Sequence, residues 1–64
     1  MKTFAELMKE LGEVNARIDI LLAKDLLSDA EDAEMTKADA KATSLKSEMD
    51  KASKREEIAA RNAT

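Results

Sequence analysis

The side chains that could carry out chemistry in this 64-residue chain are carboxylates, amines and hydroxyls. The sequence contains no histidine and no cysteine, which excludes imidazole and thiolate catalysis, zinc sites and disulfide bonds. Ser44, Ser47 and Ser53 therefore have no histidine to activate them as nucleophiles. The neighbouring carboxylates Glu56 and Glu57 point about 100° apart on a helix, so they cannot share a proton. We expect a protein that is not an enzyme and that takes no cofactor or small molecule.

Acidic residues are concentrated near the middle of the chain, at Asp25, Asp29, Glu31, Asp32 and Glu34. A calcium-binding EF-hand loop needs ligands at fixed spacing, a central glycine and a terminal glutamate, and this segment lacks that pattern. Negative charge is favoured at the start of a helix by the helix dipole. The cluster therefore indicates the first turn of a helix, and we predict no metal site.

The charge pattern also argues against nucleic acid and membrane partners. The formal net charge is −3, and the lysines of the second half alternate with acidic residues and have no aromatic neighbours. The longest apolar run, residues 20–23, is far shorter than the about 20 residues of a membrane span. The N-terminus lacks the apolar core of a signal peptide. We expect an intracellular protein.

The first half of the chain has the pattern of a helix packed against a partner helix. Thr3 and Glu6 have the spacing of a capping box, and we predict a helix over about residues 2–26. Its apolar residues recur at alternating steps of three and four, the spacing of a coiled-coil seam. They are Phe4, Leu7, Leu11, Val14, Ile18 and Leu21.

A second capping box, Ser28 with Glu31, predicts a corner over about residues 25–29 and a second helix over about 29–61. This helix continues the seam spacing but fills much of it with alanine, and Glu56 interrupts the series. Its seam residues are Met35, Ala38, Ala42, Leu45, Met49 and Ala52. Residues beyond about Lys54 would overhang the first helix and fray at the end.

Bulky residues opposite alanines allow two helices to approach closely. The sequence thus predicts an all-α fold, an antiparallel two-helix coiled-coil hairpin that forms one domain over residues 1–64. One bent continuous helix is the alternative.

A further apolar series, Ala16, Ile20, Ala23 and Leu27, predicts a second stripe on the opposite side of the first helix. A hairpin buries one side of each helix only, so we expect another copy or another part of the same polypeptide to cover this stripe, giving a larger helical bundle. Stray apolar residues on an ordinary surface are the alternative.

The order of these features resembles the N-terminal segment of tailed-phage major capsid proteins with the Hong Kong phage fold. The matching residues are Leu7, Leu11, Ile18 and Leu21, the corner 27–32, then Leu45, Glu48, Met49 and residues 54–57. In that family the segment, called the delta or scaffolding domain, lies inside the immature capsid, promotes assembly and is often removed by a protease. The resemblance implies the same role, in the host cytoplasm, with other copies or the rest of a capsid subunit as partners. The alternative is a small regulator or inhibitor that places a helix in a partner's groove.

Overall fold

The computed structural model describes residues 1–63 and contains two α-helices, α1 (Phe4–Leu22) and α2 (Asp29–Asn62). They pack side by side in opposite directions and are joined by residues 23–28. The predicted all-α helical hairpin is confirmed. The molecule measures 54 × 15 × 14 Å, and its length is that of α2, because 34 helical residues span about 51 Å.

Helix α1 begins at Phe4 and is capped from two directions. The Thr3 hydroxyl accepts a hydrogen bond from the Glu6 backbone N–H at 3.2 Å, as a helix N-cap does. The Phe4 N–H donates to a carboxylate oxygen of Glu56 in α2 at 3.0 Å. One of the unpaired N–H groups at the start of α1 is therefore satisfied by the other helix.

Helix α1 ends at Leu22, four residues before the predicted end near residue 26. The Lys24 N–H bonds to the Leu21 carbonyl at 3.2 Å, a tight i to i−3 turn that closes the helix. The backbone at Ser28 is extended (ψ 165°), so the chain must leave the helical conformation before the second helix begins. The connection covers residues 23–28, whereas the sequence predicted a corner at about 25–29.

Helix α2 begins with a complete capping box. The Ser28 hydroxyl accepts from the Glu31 N–H at 3.1 Å, and the Ser28 N–H donates to the Glu31 carboxylate at 3.1 Å. The helix ends at Asn62, against a predicted end near residue 61. The predicted fraying at Thr64 lies outside the described residues.

The core is the seam between the helices. All twelve residues that the spacing assigned to it are buried or half-buried. The buried ones are Leu7, Leu21, Ala42, Leu45 and Ala52, each at most 5% exposed. The central cluster is Leu7 of α1 with Leu45 and Ala52 of α2, and Phe4, Leu11, Val14 and Met49 pack against it. Leu45 and Met49 therefore supply the bulky side chains of α2 at the centre of the contact.

Neither of the two helices is both long and apolar enough to cross a membrane, within the residues that the structure describes.

Candidate association interface

The seam is built from two series of residues that differ in exposure. The inner series is Leu7, Val14, Leu21, Ala38, Leu45 and Ala52, and four of its six members are buried. The outer series is Phe4, Leu11, Ile18, Met35, Ala42 and Met49, and only Ala42 in it is buried. The hairpin therefore has one lateral side on which the seam is closed and one on which apolar side chains remain half open to solvent.

The closed side, called here the ion-pair side, carries an ion pair between the two helices. The Arg17 guanidinium bonds both carboxylate oxygens of Glu34, at 2.5 and 3.1 Å. This pair lines a groove with Glu10, Lys37 and Lys41. The hydrogen bonds from Arg17 lower the pKa of the Glu34 carboxyl, and the same bonds raise the pKa of Arg17. Each charged group therefore favours the ionised form of the other, and the pair links the two helices at this level.

Glu13 lies one turn before Arg17, at the spacing of a local ion pair, but both of these Arg17 hydrogen bonds reach Glu34 of α2. Arg17 thus joins the two helices.

Two further ion pairs lie at the ends of α1. Lys2 contacts Glu10 at 2.7 Å, and this hydrogen bond raises the pKa of the Lys2 amine. At the turn, Lys24 pairs with Glu31. The bond from Lys24, with a further one from the Ser28 backbone, lowers the pKa of Glu31 to about 2. Glu31 therefore joins the turn to the start of α2 as well as completing the capping box.

The open side, called here the apolar side, runs along α1 and α2 opposite the ion-pair side. Ile18 and Leu22 of α1 line one groove with Met35 of α2, and Asp32 and Asp39 form its acidic edge. Leu22 is 64% exposed.

Two other residues extend the apolar side along α1. Met8 and Asn15 lie fourteen and seven residues before Leu22, so the helix repeat places them on the same face. Met8 is 51% exposed, and Asn15 is exposed between the two apolar residues. The apolar side is thus defined by Met8, Asn15 and Leu22, together with the half-buried members of the outer series.

The stripe that the sequence predicted for association is placed differently. Ala16 and Ile20 lie on α1 and are exposed, Ile20 to 54%. Ala23 is the C-cap residue, and Leu27 lies half-buried in the connection. Because α1 ends at Leu22, these four residues do not form one continuous helical stripe.

Sequence reasoning missed the apolar side although its signal is present. Met8 and Leu22 each follow a seam residue directly, Leu7 and Leu21, and so widen the apolar face by one position. A helix that carries this third apolar position is typical of bundles, where each helix has two neighbours.

Glu56 is the other residue whose role was missed. The seam pattern marks it as a fault, but its carboxylate accepts the Phe4 N–H. Only the three-dimensional fold reveals this partner, since the two residues are 52 positions apart.

Within residues 1–63, no three acidic side chains converge in a way that could hold a metal ion. Comparison with known proteins finds no matching family model, no similar curated protein and no similar solved structure.

Proposed function

We propose that this protein is a non-enzymatic association module, whose apolar side packs against further helices and holds copies of the chain together. The observation that carries the proposal is the half-open outer series of the seam, with Met8 and Leu22 exposed beside it. Scattered apolar residues on a surface are ordinary, but here they follow the helix repeat along one side of the hairpin.

The energetics favour this interpretation. This two-helix hairpin buries little: within residues 1–63, five hydrophobic side chains are at most 5% exposed, and all of them are leucine or alanine. Small domains without disulfides or metals commonly obtain the missing burial through association. Each large side chain that becomes fully buried contributes about 1.5–3 kcal/mol. A partner that covers the apolar side would supply such burial, because it would cover the exposed parts of Met8, Leu22 and the outer series.

The finer proposal is a scaffolding segment for phage capsid assembly, and it rests on the sequence resemblance. A scaffold works by many weak contacts between tethered copies, since the high local concentration in a ring of subunits multiplies them. A half-open hairpin suits this role, because its contacts are repeated and individually modest. A capsid segment further predicts that the gene encodes a shell domain after codon 64, and reading the coding sequence tests this.

The experiment that tests association is sedimentation equilibrium combined with circular dichroism. We expect the wild-type chain to sediment as a multiple of 7.0 kDa. Met8→Asp with Leu22→Asp should return it to the monomer mass and keep its helicity, because both residues are exposed in the hairpin. Ile20→Asp is the matched control, since Ile20 is as exposed but lies outside the apolar side.

A wild-type chain that stays monomeric over the accessible concentrations would contradict the proposal. The apolar side would then fit a helix of a different protein, as in a regulator. A loss of association in Ile20→Asp alone would instead assign the interface to the stripe of Ala16 and Ile20.

A further inference from the structure

The apolar side has an internal symmetry that points to its partner. Ile18 of α1 and Met35 of α2 line the same groove and so lie at the same level of the hairpin. Because the helices run in opposite directions, the residue seven positions before Ile18 and the residue seven positions after Met35 also lie at one level. These positions are Leu11 and Ala42, and a line through them crosses the middle of the apolar side.

Apolar side chains are arranged evenly about this line. In α1, Phe4 and Ile18 each lie seven residues from Leu11. In α2, Met35 and Met49 each lie seven residues from Ala42, and both are half-buried. A rotation of 180° about the line therefore brings apolar positions onto apolar positions, with the small Ala42 at the centre.

The charges are complementary under the same rotation. Asp39 and Lys46 lie three residues before and four residues after Ala42, which places them on one flank of α2 with opposite signs. The two ends of the hairpin differ as well. Residues 19–32 at the turn carry five carboxylates and one lysine, whereas residues 51–62 at the open end carry four basic side chains and two carboxylates.

We propose that a second copy of this chain packs its apolar side on the first, related by a two-fold axis through Leu11 and Ala42, and that the two hairpins form an antiparallel four-helix bundle. The inference rests on the proposed association and adds its orientation. Leu11 meets Leu11 across the axis, and Ala42, which is already buried in the seam of each hairpin, lies beneath it. Each of the other contacts occurs twice, as an isologous interface requires. They are Phe4 with Ile18, Met35 with Met49, and Asp39 with Lys46 of the second copy.

The opposite orientation, with both turns at the same end, is disfavoured by the same residues. It would place α1 of one copy over α2 of the other, so that Leu22 would lie against the acidic edge formed by Asp32 and Asp39. It would also bring two acidic turns together, and like charges across an interface oppose association.

Cross-linking tests the orientation, because the chain has no cysteine of its own. Asp32 and Ser53 are both exposed and lie on the same flank of α2 as Asp39 and Lys46. They are 21 residues apart, about 32 Å along the helix, so one hairpin cannot bring them together. The two-fold axis places Asp32 of one copy beside Ser53 of the other.

We expect a mixture of the Asp32→Cys and Ser53→Cys chains to form a covalent dimer with a short bis-maleimide. Each variant alone, which places its cysteines about 32 Å apart in the bundle, should give only background. Adding Met8→Asp and Leu22→Asp to both chains should abolish the product, which controls for random collision. Sedimentation and helicity of each cysteine variant should match those of the wild type.

A charge exchange gives an independent measurement. Asp39→Lys and Lys46→Asp should each weaken the dimer about tenfold, since each change makes two repulsive contacts per dimer. The double variant, which restores opposite charges, should recover the wild-type affinity.

The outcomes separate the two levels of the proposal. A wild-type dimer whose cysteine mixture does not cross-link above the single variants, or whose charge exchange is not rescued, overturns the antiparallel bundle and leaves association standing. A wild-type monomer overturns both.

Discussion

The two lateral sides of the hairpin use the same seam in different ways. On the ion-pair side, Arg17 and Glu34 bridge α1 and α2 beside the buried inner series. On the apolar side, the outer series is half open, and Leu22 and Met35 share a groove with no such bridge among its lining residues. The first side joins the two helices of a chain through an ion pair. The second, in our proposal, packs against a further layer of helices.

The two sides also differ in how much they contribute to the stability of the hairpin. Exposed ion pairs contribute little free energy, because solvent screens them and the side chains lose entropy. Apolar burial contributes far more, but it is not directional. A hairpin with an ion pair on one side and open apolar residues on the other can therefore gain more free energy by covering its apolar side than it gains from its charges.

The largest expected effect contrasts two neighbouring leucines. Leu21 is fully buried in the seam and Leu22 is 64% exposed on the apolar side. Leu21→Ala should lower the free energy of unfolding by about 2–5 kcal/mol, because it leaves a cavity between the helices. In chemical denaturation at low protein concentration, Leu22→Ala should change hairpin stability little.

At higher concentration Leu22→Ala should weaken association, which sedimentation measures. Equal destabilisation by the two substitutions at low concentration would show that the apolar side is not open in the hairpin.

The sequence predicted the features of the two sides that depend on local spacing and local hydrogen bonds, but not those that depend on how the helices pack. The spacing of three and four residues identified the seam, because burial on a helix follows the helix repeat. The capping box at Ser28 and Glu31 identified the start of α2, since its bonds are local. The positions of Met8 and Leu22 indicate a wider apolar face, but the different exposure of the inner and outer series depends on how the helices face each other.

Two further features of the structure, the end of α1 and the role of Glu56, differ from the sequence-based prediction. No glycine or proline marks the end of α1, so the pattern ran on to Leu26 and made Ala23 and Leu27 part of a stripe. Glu56 was judged a fault because its partner, the Phe4 N–H, is brought near only by the fold. Local rules fail at Glu56 because its partner is tertiary, and at the end of α1 because no helix-terminating residue marks the local turn.

The next effect concerns the polar residue in the apolar side. Asn15 is exposed between Met8 and Leu22, and in the proposed bundle it would be covered. Asn15→Leu should strengthen association about tenfold or more, since a buried leucine contributes about 1.5–3 kcal/mol. Lys41→Leu is the control, because it adds the same side chain on the ion-pair side.

Sedimentation equilibrium over a range of concentrations compares the two leucine variants. A stronger association in Lys41→Leu than in Asn15→Leu would reverse the assignment of the two sides.

A smaller effect is expected from a substitution at Gly12, which should change the stability of the hairpin without changing association. A Cβ atom added at Gly12 would meet nothing within 4 Å, and the residue lies in the interior of α1. Gly12→Ala should raise the free energy of unfolding by about 1 kcal/mol, the difference in helix propensity. Thermal denaturation of the Met8→Asp, Leu22→Asp monomer should show the same gain, and a gain restricted to the associating form would contradict this account.

The smallest effect is the response of the ion pairs to acid. Lys24 and the Ser28 backbone lower the pKa of Glu31 from 4.5 to about 2, and Arg17 lowers that of Glu34. A carboxyl whose pKa is depressed by folding stabilises the fold above its usual pKa, and this contribution is lost as the pH falls toward the depressed value. The Tm of the monomeric variant should therefore fall between about pH 5 and about pH 2. With Glu31→Gln and Glu34→Gln added, the Tm should be lower at neutral pH and should fall less on acidification. The plots of Tm against pH for the two proteins should therefore converge in acid. Curves that remain parallel would show that these ion pairs do not stabilise the hairpin.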